Sequence, residues 1–383
     1  MRIVVIGAGV IGVAVAEAMA RRGASVTVID MRSPGRGASW ASAGLLAPYT
    51  EAHEETPLLT MGVRSLGMFD AFIAGLRERT GLPIEYARTG TLEVALDDAE
   101  AERLRANMAW IGRQAVPQDS IGRQGVRHAW MDPAMLRDVE PAAARDAAGA
   151  LFIEDHGFVG VPRLVAALTQ SARLAGAEFE SPVEIVDVTP RREGVEIRAG
   201  ERRYEADRVV IAAGSWSRRV RVAGVAVFPV RPIRGQLLRL RWTSPPVPAR
   251  VVWGASCYTV PWPDGTLLVG ATVEDVGFDE SVTVDGVQSL TAAVSRLLPG
   301  SANAALIDVR AGLRPASPDG LPLIGPIDRA PNVTLATGHY RNGILLTPLT
   351  AELVTSSVLD GVADPMLELT LPGRFERDAG SPS

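Results

Sequence analysis

Three glycines between an apolar strand and a small-residue helix constrain this chain more than any other feature. The run Ile3-Val4-Val5-Ile6 leads into Gly7, Gly9 and Gly12, spaced as GxGxxG. A helix is expected from Val13 to about Arg21, then a second strand from Ser25 to Ile29 that closes on Asp30. This is the order of a dinucleotide-binding βαβ fingerprint, with its acid about 20 residues beyond the glycines. Gly7 permits the tight turn, Gly9 lets backbone approach a pyrophosphate, and Gly12 lets helix and strand pack closely. The helix N-terminus offers amide donors and partial positive charge to the phosphates. Asp30 can accept a bond from a ribose 2′-hydroxyl and repels a 2′-phosphate, which disfavours NADP.

Composition narrows the class. At 383 residues the chain suits two domains or a two-lobed enzyme. Its 47% hydrophobic and 22% charged content is that of a soluble globular protein, and a net charge of −5 gives no sign of a nucleic-acid surface. No charge-free run of 18 apolar residues is present, so no membrane insertion is expected. The N-terminal apolar stretch is cut by glycines and runs into a second strand, so it reads as fold, not leader. The single Cys257 excludes an internal disulfide and fits a reducing, cytoplasmic setting. Four histidines without zinc spacing argue against a structural metal. All 39 basic residues are arginine. With no lysine, neither a pyridoxal Schiff base nor a P-loop is available.

The chain then alternates in character. Ser33 to Ala47 is rich in Gly, Ser and Ala and shows little helix or strand pattern. A helix is expected from Thr56-Pro57, with Leu59, Val63, Leu66, Phe69, Ile73 and Leu76 on its buried face. Further helices are expected at Glu100–Gln114, at Pro133–Val139 behind Asp132, and at Pro162–Ala175 with Leu164, Leu168 and Leu174 inward. Strands are expected at Val183–Val188, Val195–Arg198, Arg203–Glu205 and Arg208–Ala212. A β-rich block follows from about Val227 to Ala271, with a hairpin at Pro263-Asp264-Gly265, then a helix at 285–299. Short apolar strands and a helix from Pro348 to Leu359 complete the chain before a frayed tail, Asp378 to Ser383. The order implies an α/β protein of two interleaved domains, whereas a simple NAD dehydrogenase more often alternates β and α without interruption.

Three later segments carry chemistry. In Ala212-Ala213-Gly214-Ser215-Trp216, small residues after a buried strand either let backbone approach a ligand or make a tight turn. The segment from Gly312 to Gly325, GLRPASPDGLPLIG, reads as a shaped loop with Arg314 among apolar neighbours. Such an arginine takes either a ligand's carboxylate or phosphate or an internal acid such as Asp319. Gly338 to Pro348 is a glycine-bracketed loop entering a helix, with amides suited to an anion or a flavin carbonyl. Its Arg341 is either a second anchor or a solvated surface residue.

With these motifs in order, the chain resembles the D-amino-acid-oxidase-type flavoproteins, above all the glycine oxidases of the thiamine pathway. The resemblance rests on GAGVIG with Asp30, Ala38-Ser39 and Ser42 to Leu46, AAGSW, Tyr258 to Pro261, Val269 to Thr272, GLRPASPDGLPLIG and GHYRNGILL. It covers nearly the whole chain. It implies a Rossmann-type FAD-binding domain (1–83, 147–225 and 305–370) interleaved with a substrate domain on an antiparallel sheet (84–146 and 226–304), with a tail at 371–383. It implies noncovalent FAD. Val10, Ile11, Asp30 and Met31 then match positions around pyrophosphate and ribose, and Ala38, Ser39, Ala43, Gly44 and Leu45 a loop near the flavin. Val183 matches an adenine-side contact, Ala213 and Gly214 belong to the cofactor turn, and His339, Tyr340, Arg341, Asn342, Gly343, Ile344 and Leu345 match the loop around the ring. Arg314 matches the arginine that grips the substrate carboxylate, Tyr258 its helper, and Arg341 a second substrate-side arginine. Relatives that attach flavin through a cysteine use a lysine near the ring; this chain has no lysine, and Cys257 sits beside Tyr258, away from that motif.

The resemblance further implies oxidation of glycine, sarcosine or small D-amino acids by hydride transfer to flavin N5. Oxygen is reduced to peroxide, the imine serves thiamine thiazole synthesis, and the enzyme is a homo-oligomer, a tetramer among relatives. Three rivals stand beside it: a quinone-linked D-amino-acid dehydrogenase, an NAD-dependent dehydrogenase and a flavin-binding sensor.

Overall fold

A computed structural model describes residues 1–383 except 51–53, 114–124, 185–186, 244 and 376–383. The first strand, Arg2–Ile6, is buried on both faces, as its unbroken apolar run requires of a central parallel strand. Alternation divides its side chains. Ile3 and Val5 enter a core shared with helices Val10–Arg21, Pro57–Thr80, Val161–Leu174 and Thr347–Asp360. Val4 and Ile6 enter a second core, under the strands Asp187–Pro190 and Val195–Ala199. The six-stranded sheet runs Leu323–Ile327, Ala330–Thr337, Arg208–Ile211, Arg2–Ile6, Ser25–Ile29, Glu178–Glu180. Only the first of these is antiparallel to its neighbour. A four-stranded sheet covers one face and helices the other, which is the layered arrangement of a nucleotide-binding unit.

The second unit is an eight-stranded sheet, in order Ala305–Ala316, Arg231–Arg241, Thr266–Gly270, Tyr258–Pro261, Val251–Trp253, Thr91–Ala95, Gly149–Ile153, His128–Met131. It is antiparallel except where Val251–Trp253 runs parallel to Thr91–Ala95. Sequence reading finds the hairpin around Asp264 but not Thr91–Ala95, His128–Met131 or Gly149–Ile153, and it treats residues 84–146 as mainly helical. Strands Gly149–Ile153 and Ala305–Ala316 hydrogen-bond in this sheet, although the expected boundaries place both in the FAD-binding unit.

Other expectations shift locally. The first helix begins at Val10, with Gly9 as its cap, not at Val13. Leu174 is 67% exposed, because its helix ends there and the inward face stops at Ala172. The strand expected at Val183–Val188 is instead Asp187–Pro190, preceded by Glu178–Glu180; its residues 185–186 lie outside the described residues, as do Gln114 and Asp378 to Ser383. Within the expected tail, Pro372–Phe375 forms a short 3-10 turn tied down by Arg374 on Asp319. Helix Pro57–Thr80 is long and apolar enough to cross a membrane by length and composition. Its stripe Leu59, Leu66, Phe69, Ile73 and Leu76 is nevertheless buried inside the protein.

Candidate active site

One cleft runs from the C-terminal ends of the parallel strands to the face of the eight-stranded sheet, about 1830 Å³ including its open mouth. It brings together nearly every residue singled out from sequence: Gly7, Gly9, Val10, Ile11, Asp30, Met31, Ala38, Ser39, Ala43, Gly44, Leu45, Val183, Ala213, Gly214, Tyr258, Arg314 and all of His339 to Leu345. Gly12 is the exception, and its role is packing. A Cβ there would lie 2.0 Å from the Gly7 carbonyl oxygen. Gly7 itself, at φ +111°, leaves no room beside the Ala212 carbonyl. Gly9 differs: a Cβ would meet only Ser39 Oγ, at 3.7 Å. Protein contacts therefore do not demand glycine at position 9, whereas close approach of a phosphate does.

The nucleotide end is built from polar backbone. Asp30 Oδ2 accepts from the Ala8 amide at 2.6 Å and Oδ1 from the Arg32 amide at 2.7 Å. Burial raises the carboxyl's pKa, and these amides oppose the shift. Each oxygen keeps acceptor capacity for a ribose hydroxyl. Ser39 Oγ accepts from the Val10 amide at 3.0 Å, so that amide serves the protein first, and the serine keeps its own O–H to donate. These donors, the acid and the open space at Gly9 fit an FAD pyrophosphate and ribose.

Arg314 and Tyr258 line the cleft where it meets the eight-stranded sheet. Arg314 is on strand Ala305–Ala316, not in the loop expected from its Gly/Pro neighbours; the loop begins beyond Ala316. Its Nη1 donates to the carbonyls of Thr272 at 2.9 Å and Arg234 at 3.3 Å. Asp319, the internal partner weighed for it, pairs with Arg374 instead. Gly235, on the adjacent strand, opens the slot: a Cβ there would lie 2.1 Å from Arg314 Nη2. Gly270 does the same for Tyr258, whose hydroxyl would lie 2.5 Å from a Cβ at 270. Trp253 lies against Tyr258 with ring centroids 4.9 Å apart and also lines the cleft. Sequence reading missed Gly235, Trp253, Arg32 and Arg219. An isolated glycine inside a strand was the available signal for Gly235; Trp253 depends on strand neighbours far apart in sequence, whereas Arg32 and Arg219 follow closely on Asp30 and on the turn at Gly214.

His339, in the glycine-bracketed loop, is 3% exposed and its Nε2 lies 3.0 Å from Thr350 Oγ1. Burial pushes it down to about 3, so it is neutral and unsuited to proton transfer near neutrality. Tyr340 adopts φ +48°, held by its amide on the Pro315 carbonyl at 2.8 Å. Cys257 is buried in an apolar cluster and its thiol is pushed up to about 12 by burial, which makes it inert. Among the described residues, no group of three His, Cys, Asp or Glu side chains is arranged for a metal ion.

Buried histidines predict a pH response. His156 and His339 both sit at about 3 against an ordinary 6.5. Below pH 6.5 the unfolded chain binds protons that the folded chain refuses, so stability falls on the order of 1.4 kcal/mol per pH unit for each ring. Glu93, pushed up to about 8 by burial, acts oppositely, losing its stabilisation as pH rises from about 4.5 to 8. Two rings outweigh one carboxyl below pH 6.5. Thermal melting of the protein is expected to fall from about pH 7 to about pH 5, and His156→Gln to flatten that slope.

A fingerprinted cleft that joins a nucleotide site to a sheet-borne arginine defines an oxidoreductase with a dinucleotide cofactor. The chain belongs to the FAD dependent oxidoreductase family, whose profile matches residues 2–357. It is 33% identical over 358 residues to glycine oxidase of Geobacillus kaustophilus, covering 93% of this chain and 92% of that one. The crystal structure of a G. kaustophilus glycine oxidase superposes with a TM-score of 0.86 at 31% identity, covering 95% and 96% of the two chains. A bifunctional ThiO/ThiG protein of Synechocystis is 32% identical over 97% of this chain but only 54% of its own length. FAD is thus the cofactor and the activity is that of an FAD-dependent amino-acid oxidase, which removes the NAD dehydrogenase from consideration.

Proposed function

We propose that the chain oxidises glycine and other small amino acids, sarcosine and small D-amino acids among them, with O₂ as electron acceptor. What supports this reading is that Arg314, Tyr258 and Arg341 line the same cleft as Asp30. Arg314 takes the substrate carboxylate as a planar two-pronged donor, a geometry lysine cannot offer. The Tyr258 hydroxyl adds a donor, and Arg341 a second cation. Gly235 and Gly270 set both side chains deep enough to hold a small zwitterion, and orientation supplies much of the rate. FAD held along the cleft would supply the redox chemistry, taking two electrons from the Cα–N bond of the substrate, with O₂ as their final acceptor and H₂O₂ as product. No side chain is required as base, in keeping with a neutral, buried His339. Likeness to glycine oxidases supports glycine as substrate and a supply of imine for thiamine thiazole synthesis as the role.

An amino-acid panel tests the reading. Glycine, sarcosine and D-alanine are expected to yield peroxide, and denaturation with acid to release the yellow cofactor into solution. Dye reduction without peroxide would move the enzyme to the quinone-linked reading. Failure of every amino acid to bleach the bound flavin without oxygen would favour a sensor.

A further inference from the structure

Residues 271–283 join strand Thr266–Gly270 to helix Val284–Leu297 and reach Arg32, two residues beyond Asp30. Two of their side chains reach across. Glu280 grips Arg32 as a fork, Oε1 to Nη1 at 2.9 Å and Oε2 to Nη2 at 2.5 Å. Phe278 packs on Trp216 with ring centroids 5.8 Å apart, and the Arg219 guanidinium sits 3.7 Å over the Phe278 ring. Arg32 in turn lies 4.6 Å over the Trp216 ring. Arg32, Trp216 and Arg219 line the cleft. Phe278 and Glu280 hold them from behind.

The base of the segment is fixed differently. Glu274 accepts from Arg234 and from Gln236, and Gln236 also bonds Thr283. Arg234 is 4% exposed and Gln236 is fully buried, so the centre of this network is shielded from water. The tip is held by two partly solvated ion pairs, Glu280 with Arg32 (30% and 32% exposed) and Asp279 (48% exposed) with Arg234, and by Phe278 against Trp216 and Arg219. A segment with a firm root and a partly solvated tip opens at the tip first. The ion pairs there are also within reach of salt screening.

We propose that segment 271–283 is a latch for the cofactor: Phe278 and Glu280 hold Arg32, Trp216 and Arg219 against bound FAD, and FAD departs only when the tip lifts. The inference rests on FAD lying in the cleft. A latch of this kind acts on the rate of escape, which is where most affinity differences between related complexes reside.

The test is the dissociation rate of FAD from the holoprotein, followed as the rise in flavin fluorescence after dilution. Glu280→Gln and Phe278→Leu are each expected to speed release at least fivefold, and the double variant at least tenfold. Raising KCl from about 0.05 to about 1 M is expected to accelerate release from the unaltered protein more than from Glu280→Gln, which lacks the Glu280–Arg32 pair but keeps Asp279 on Arg234. That salt comparison stands within each protein and does not depend on the variants' overall stability. Release at the unaltered rate from folded variants, or equal salt acceleration in both proteins, would overturn the latch alone. Unaltered protein that takes up no FAD would instead remove the cofactor site on which it rests.

Discussion

Arg314→Ala is expected to raise KM for glycine by well over tenfold, from the loss of roughly 2 kcal/mol or more of charge-assisted binding. FAD content should stay at the level of the unaltered protein, since Arg314 is fixed on the sheet and not on the nucleotide-binding turn. Arg314→Lys is expected to fall between the two, keeping charge but losing the planar fork. Gly235→Ala supplies an independent arm. Its methyl would lie 2.1 to 2.3 Å from the guanidinium, so Arg314 must move although its own chemistry is intact. The expected result is the same rise in KM with cofactor retained. Steady-state kinetics on flavin-loaded protein read both arms, and unchanged KM in Arg314→Ala would remove that residue from the site.

Gly9→Val and Gly12→Ala are expected to fail in opposite ways. A side chain at position 9 enters space bounded only by Ser39, so the polypeptide accepts it but FAD does not. Affinity for FAD is expected to fall by at least about a hundredfold, or ~2.7 kcal/mol. The melting temperature of the cofactor-free protein should hardly change. A methyl at position 12 collides with the Gly7 carbonyl oxygen at 2.0 Å, where backbone cannot yield cheaply. That substitution is expected to destabilise the cofactor-free protein by about 1–3 kcal/mol, the usual cost of overpacking. FAD titration and melting of the apoprotein separate the two. Equal loss of stability in both would mean that glycine at 9 also serves packing.

The contrast between these glycines shows where sequence carries structural information. The turn, helix and acid of the first thirty residues are local, so spacing alone assigns Gly7, Gly9, Gly12 and Asp30 their places. The loop from His339 to Leu345 is equally local, marked by glycines at 338 and 343. The eight-stranded sheet is not. Thr91–Ala95 pairs with Val251–Trp253 and with Gly149–Ile153, partners far apart in the chain, and short strands among helices leave no strong periodicity. Arg314 is legible as a cation among apolar neighbours, but its Gly/Pro surroundings read as loop. Strand pairing with Arg231–Arg241 aims it, and register with Gly235 gives it room. Leu174 fails for a simpler reason: helical spacing predicts a face but not the residue at which the helix runs out of protein to cover it.

Glycolate keeps the carboxylate of glycine and replaces its amine with a hydroxyl. The most direct measurement of the central claim is a crystal structure of the FAD-loaded enzyme soaked with it. The account predicts both carboxylate oxygens within hydrogen-bonding distance of the Arg314 guanidinium and one of them near the Tyr258 hydroxyl. Glycolate bound elsewhere, with the side chain at 314 turned away from it, would contradict the account.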